Sequence, residues 1–456
     1  MTEFPRMVCR LAVAGCLLAL AACASGSARP LVGPEQAAIL EDPAPQALQR
    51  RAASLRHELI RPVTLDFTQP LSLDELSVIA VVANPDLYAL RAQQQVAQAQ
   101  VFASGLFPDP QLSASLDRVL SPTGQGLVSA YAGGLSLDVL GTLFTRRADQ
   151  AVARHAADQL RLDIAWAEWN TAGQARLLAE RLHYQTEAGK LARESAAAAQ
   201  RLLGAVREAA QRGDLKGDDL QAQRAAGVDA TVRAEALRKD IDTTRLELNR
   251  VLGLQPSTPL ALAALPSQAP TPTASVEDLF AAARRQRLDL KALEEGYASQ
   301  QASLRRAVLG QYPRVAVTLN RARDTSAVHT WGPAVNLDLP LWNRNRGEIA
   351  LATAEREVLR AEFAARLHQT RADLAALLAA LQSDERALEQ SRGEAQALAA
   401  LALQYEAAAQ RGDLARSAVD VMRLTAIDKQ ITVLGLEQSC GEQRIALSLL
   451  TGDPFP

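Results

Sequence analysis

Four short segments of the chain alternate between apolar positions and small or polar ones. In 127–140, Leu127, Tyr131, Leu135 and Leu137 share one face with Ser129 and Gly133, while Val128, Ala130, Ala132, Gly134, Ser136 and Asp138 share the other. In 314–323, Val315, Val317 and Leu319 oppose Ala316, Thr318 and Asn320; in 334–339, Val335, Leu337 and Leu339 oppose Asn336 and Asp338. A period of two marks a strand with one apolar face. Segment 111–120 lies before 127–140 across Ser121-Pro122-Thr123-Gly124, a turn composition. The pattern predicts two hairpins, 111–120 with 127–140 and 314–323 with 334–339.

Elsewhere the pattern is helical. No proline occurs from Thr123 to Gln255 or from Leu341 to Asp453, although the chain holds 21. Proline inside a helix costs about 3 kcal/mol. Two such stretches rich in Ala, Leu, Gln, Glu and Arg predict very long helices, starting near Thr142 and Asn343. Each runs about 70 residues to a turn, roughly 100 Å at about 1.5 Å per residue. A return helix of about 40 residues then ends at Gly253 or Gly452, residues suited to a C-cap. Gly173 and Gly189 weaken the first long helix without breaking it. Shorter helices precede each hairpin, at 73–107 and 276–309; Asn84 and Pro85 restart the first, as cap and first helical residue.

The two halves are an internal repeat. Leu76, Asp86, Leu87, Ala89, Leu90, Pro110, Leu116 and Arg118 recur 203 positions later as Leu279, Asp289, Leu290, Ala292, Leu293, Pro313, Leu319 and Arg321. Leu137-Asp138 recurs as Leu337-Asp338 at offset 200, and Gln211-Arg212-Gly213-Asp214-Leu215 as Gln410-Arg411-Gly412-Asp413-Leu414 at offset 199. Gly253 recurs as Gly452. The organisation is a first repeat at 71–253, a Pro-rich linker at 254–275 and a second repeat at 276–453. The fold class is mainly α with a small β part.

The first residues read as a signal peptide, 1–22. Arg6 and Arg10 precede the apolar run 11–20, which is too short for a permanent span. Leu20-Ala21-Ala22-Cys23 resembles a bacterial lipobox, which implies lipidation of Cys23; an ordinary signal peptide with a chance cysteine is the alternative. Ala24 supplies no acidic inner-membrane retention signal. A stretch rich in Gly, Pro, Ser and Ala, 23–70, reads as a lipidated extended arm, with His57-Glu58 on its surface. Cys9 and Cys16 leave with the signal. Cys440 remains as a small buried apolar residue, and no intrachain disulfide is expected. A net charge of -2 gives no reason to expect nucleic acid. Aromatic content of 4% suits helices packed side by side better than a thick core.

Two hairpins give four strands, too few to close a barrel, and an open edge does not survive in lipid. Strands of about ten residues suit a tilted membrane strand. Closure then needs copies, and three make a twelve-stranded β-barrel. The helices are too polar for lipid and bury an apolar face only against neighbours, which gives a trimeric α-barrel below. A soluble hairpin on a helical scaffold is the alternative.

The repeat, the strand pairs and the stretch Pro340-Leu341-Trp342-Asn343-Arg344-Asn345-Arg346-Gly347 entering a long helix resemble the TolC-type outer-membrane efflux family over about 71–452. That last stretch is similar to the heavy-metal cation subgroup; Leu140-Gly141-Thr142-Leu143-Phe144 departs from it in the first repeat. The resemblance implies a passive trimeric exit duct in the outer membrane, lipid-anchored and extending into the periplasm, fed by an inner-membrane pump through a periplasmic adaptor. It places the adaptor-facing tips at Arg212, Gly213, Asp214 and Leu215 and at Arg411, Gly412, Asp413 and Leu414. Tight-turn geometry alone also asks for the glycines, and an adhesive Arg-Gly-Asp role is a remote alternative. The resemblance puts a pore aperture just after the tips, where Asp420 is the nearest acid, Arg423 stands where a second acid is expected, and Asp218 and Asp219 follow the first tip. Solvated turn charges are the alternative. Rings of like charge repel when desolvated, so small helix shifts would open such an aperture.

No catalytic constellation, nucleophile elbow or phosphate loop is present. His57, His155, His183, His329 and His368 are scattered. Neither enzyme activity, cofactor nor metal is expected. The competing function is a helical lipoprotein spacer of the cell envelope, with no pore.

Overall fold

The computed structural model describes residues 31, 40–118, 129–138, 140–214, 217–265 and 274–453, with nothing said of the side chains of 140–143. Residues 43–456 form one unit, to which every helix and strand named here belongs. The expected signal peptide, 1–22, and Cys23 lie outside the described residues.

The elements are α1 Pro45–Ala53, α2 Leu73–Ala83, α3 Pro85–Ser104, β1 Gln111–Asp117, β2 Ala130–Asp138, α4 Leu140–Gln211 and α5 Gly217–Val251. The second half adds α6 Val276–Gln286, α7 Leu288–Leu309, β3 Arg314–Arg323, β4 His329–Asp338, α8 Arg346–Gln410 and α9 Arg416–Thr451. The long helices α4 and α8 hold 72 and 65 residues, about 110 and 100 Å.

Local chemistry starts each half identically. Ser72 caps α2 in a reciprocal box with Glu75, and Ser275, 203 positions on, caps α6 with Asp278. Both follow a Ser-x-x-acid pattern. Asn84 caps α3 by accepting from the Asp86 and Leu87 amides, and its own amide donates to Val251 O at the end of α5. The equivalent residue, Arg287, donates to Leu450 O at the end of α9. Thus 276–309 is two helices broken at Arg287, not one. No proline breaks it; the guanidinium is instead held by Asp289 at 2.9 and 2.7 Å and lies over the Trp166 ring. Gly253 and Gly452 end the return helices with φ of 65° and 74°. A Cβ on Gly253 would overlap the Ala83 carbonyl, so each return helix closes against the break in the short helices.

Helix α4 is the central element, packing on α2, α3 and α5 of its own half and on α7 and α9 of the other. The main core gathers Leu76, Val78, Ile79, Trp169, Leu248 and Leu252. Gly173 and Gly189 lie in an unbroken helix, and each is a close approach: a Cβ would strike Leu449 and Ile241 respectively. Cys440 is fully buried.

Two local expectations need correction. Segment 23–70 is not simply an extended arm, because it contains α1, whose Leu48 and Ala52 join Ile60 and Leu65 in the core. His57 is not a surface residue: its side chain is 1% exposed, and it meets Ala165 O at 2.9 Å through Nε2 while Nδ1 accepts from the Leu59 and Ile60 amides. The linker is anchored at its start, where Leu71 and Leu262 form a bridge and the Asn249 amide donates to Gln255, Pro256 and Thr258 carbonyls; 266–273 lie outside the described residues.

Candidate functional site

The two hairpins join into one antiparallel sheet in the order β1-β2-β3-β4. β4 starts at His329 rather than 334, taking in Pro333, which an edge strand tolerates. β1 ends at Asp117 and β2 begins at Ala130; Val119, Leu120, Leu127 and Val128 lie outside the described residues.

Residues opposite one another in an antiparallel pair point the same way. The register pairs Leu112 with Leu135, Leu135 with Leu319, and Leu319 with Pro333; it likewise links Leu137, Val317 and Val335. One face is therefore apolar across all four strands. It is not covered: Leu112 and Trp331 are 82% and 70% exposed, and Leu116, Leu319, Val335 and Leu337 are exposed too. The other face carries Ser113, Ser136, Thr318, Asn320 and Asn336, tied by Thr318 Oγ1 to Ser136 Oγ at 3.2 Å and by Asn336 Nδ2 to Thr318 Oγ1 at 3.1 Å. All three strand aspartates, 117, 138 and 338, fall on this polar face. Aromatics mark both ends of the apolar face. Tyr131 and Trp331 stand at the hairpin-loop end, and Phe107, Tyr312 and Trp342 lie exposed near the helical end. Bands of this kind flank the lipid-facing surface of membrane barrels.

The stretch Pro340–Gly347 turns β4 into α8. Arg344 and Asn345 are both left-handed, and Asn345 Nδ2 donates to Ala307 O at 2.7 Å.

At the far end the two predicted tips are copies of each other. Gly213 and Gly412 have φ of 82° and 83°. The Asp214 and Asp413 amides reach back to Ala209 O and Ala408 O, closing the long helices with the bond pattern of a glycine C-cap. Arg212 Nε donates to Asp214 at 3.1 Å and Arg411 Nε to Asp413 at 3.0 Å, all four side chains well exposed. Leu414 is exposed; Leu215 lies outside the described residues.

Of the predicted aperture residues, the structure brings Asp420 and Arg423 together on α9, facing α4. Arg201 donates to Asp420 at 3.3 Å, and Arg423 Nε donates to Glu194 at 2.8 Å. With Glu406 and Arg416 these four line an open groove of about 900 Å³ between α4, α8 and α9. Asp218 and Asp219 stand apart, exposed in the first turn of α5, where the helix dipole favours acids. Glu194 and Arg201 escape sequence reasoning because their partners lie more than 200 residues away.

A buried charge cluster was also unforeseen. Glu180 on α4 is buried, and its carboxylate fills the notch over Gly441 on α9, where a Cβ would overlap it. Desolvation, with Glu442 nearby, pushes its pKa up to about 7 against the pull of Arg176 and Arg444. Arg176 is paired with Asp74, Arg181 with Glu442 and Arg444 with Glu385.

Among the described residues no cluster of three His, Cys, Asp or Glu could hold a metal, and no helix is long and apolar enough to cross a membrane. No protein-family model matches the chain, and no curated protein matches it. Solved structures do. CusC, whose crystal structures concern transmembrane channel formation, is 17% identical, with 88% of this chain and 98% of that one covered and a TM-score of 0.67. The CmeC outer membrane channel of Campylobacter jejuni is 15% identical over 84% of this chain and 86% of its own, TM-score 0.67. The open MtrE outer membrane channel of Neisseria gonorrhoeae is 18% identical over 88% and 94%, TM-score 0.63. At these identities the likeness is one of fold, and the chain has the fold of the TolC-type outer-membrane channels.

Proposed function

We propose that this chain belongs to the TolC-type efflux family and forms the passive exit duct of a tripartite efflux system. Three copies close a twelve-stranded barrel in the outer membrane, and their helices continue as a tube into the periplasm. Cargo arrives from an inner-membrane pump through a periplasmic adaptor. The observation that carries this reading is the four-stranded sheet with one exposed face that is apolar up to its loop end and one polar face. In water such a face is a liability; around a pore it is the lipid-facing wall, with the polar face toward the lumen.

The repeat supports closure by copies. Helix α9 packs on α4 within the chain, but among the described residues no second long helix packs along α5, its equivalent, which reaches α9 through the Arg233–Asp428 pair at 2.9 Å. Ile427 and Ile445 on α9 are 6% and 3% exposed, while the residues 199 positions earlier, Val228 and Leu246 on α5, are 55% and 45% exposed. A neighbour's α8 laid on α5 as α4 lies on α9 would cover them. Such a head-to-tail contact closes a ring when its rotation allows. A non-pore spacer offers no reason for the apolar sheet face.

In this reading Cys23 carries the lipid anchor, the two Arg-Gly-Asp-Leu tips face the adaptor, and Asp420 with Arg423, and Asp218 with Asp219, lie near the periplasmic aperture. The test is conductance of the purified protein in planar lipid bilayers. Discrete steps are expected; protein that inserts yet never conducts would contradict a duct.

A further inference from the structure

The loop end of the apolar face carries arginines that the channel reading leaves unexplained. Arg321 lies opposite Gly133 and Trp331, and Arg323 opposite Tyr131 and His329, all on the apolar side of the sheet by register. Arg323 lies over the Tyr131 ring at 5.9 Å, and Tyr131 meets His329 edge-on at 6.3 Å. The repeat places Arg118, the partner of Arg321 at offset 203, just past β1 at the same end.

These cations lack anions. No ion pair engages Arg118, Arg321 or Arg323 among the described residues, and Arg323 Nε is shielded without a hydrogen-bond partner there. The strand acids lie on the opposite face. The sequence from Arg118 to Leu137 contains no Asp or Glu. In the other loop Asp324 Oδ1 is taken by the Ser326 and Val328 amides at 2.8 and 2.9 Å. An apolar wall that ends in aromatics and unpaired guanidinium groups fits a molecule with acyl chains below and phosphate above, since guanidinium forks match phosphate oxygens.

We propose that Arg321 and Arg323, with Arg118, bind the phosphates of a phosphorylated glycolipid of the outer leaflet, of the lipid A class. This rests on the membrane placement above: the helices leave the sheet at the opposite end, so the arginine end faces outward when the helices are periplasmic. Tyr131 and Trp331 would lie against the sugar and upper acyl region.

The test uses full-length protein in phosphatidylcholine vesicles that also carry bisphosphorylated lipid A, its dephosphorylated form, or phosphatidylglycerol, with binding read by fluorescently labelled lipid. Each arginine near a phosphate is worth about fivefold, so Arg321→Gln with Arg323→Gln is expected to weaken lipid A binding by about 25-fold. Arg321→Lys with Arg323→Lys keeps the charge without the fork and should bind more tightly than the Gln pair but more weakly than wild type, which separates charge from misfolding. Weak binding of the dephosphorylated form and of phosphatidylglycerol is expected. Equal binding by protein with and without the arginines, or phosphatidylglycerol bound as well as lipid A, overturns the proposal. Protein that inserts and conducts in those cases leaves the channel reading standing; protein that never enters the vesicles sinks both.

Discussion

Replacing Glu180 with glutamine tests whether the long helices are packed as described. Glu180 lies between α4 and α9, against Gly441, with Glu442, Arg176 and Arg444 around it. Its pKa rises from an ordinary 4.5 to about 7. The folded chain therefore holds the Glu180 proton more tightly than the unfolded chain does. Between about pH 4.5 and 7 the native state binds more protons, so stability falls as pH rises through that window. Below it the carboxyl is neutral in both states and costs little. Above it the buried carboxylate costs about 3 kcal/mol, at about 1.4 kcal/mol for each tenfold difference in proton affinity. Glutamine is neutral and of the same shape. In denaturant melts of the detergent-solubilised protein, Glu180→Gln should match wild type near pH 4.5 and exceed it by about 3 kcal/mol at pH 8. A variant that loses stability between pH 5 and 8 as steeply as wild type would refute the burial of this carboxylate in the α4–α9 notch.

Two further substitutions probe the turns and the aperture. Gly412→Ala meets open space and only left-handed strain, so it should cost about 1 kcal/mol; Gly253→Ala adds a clash with the Ala83 backbone and should cost about 3 kcal/mol in the same melts. Equal losses would contradict the docking of α5 on the α2–α3 break. Asp420→Asn removes the acid from the proposed aperture and should reduce cation preference, read as a shifted reversal potential across a salt gradient. An unchanged reversal potential would remove Asp420 from the conduction path.

The parts of this fold visible in the sequence are those governed by neighbours in the chain. Alternation in 314–323 gives β3 with its observed ends, because Val315, Val317 and Leu319 set one apolar face against Ala316, Thr318 and Asn320. The repeated Gln-Arg-Gly-Asp-Leu marks both tips, since a left-handed residue there asks for glycine in each. What was hidden depends on contacts far apart in sequence. The break at Arg287 is held by Leu450 O, and the burial of His57 by Ala165 O. The pairing of β2 with β3, which turns two hairpins into one wall, joins residues 178 to 192 positions apart. Glu180 reads locally as one more helical acid; only Gly441, on a helix from the other repeat, makes its position unusual.

The central claim is that one chain supplies an open wall that its copies complete. Native mass spectrometry of the protein extracted in mild detergent tests this most directly. A single species of three chains is expected, and a stable monomer, with the sheet edges of β1 and β4 unpaired, would contradict it.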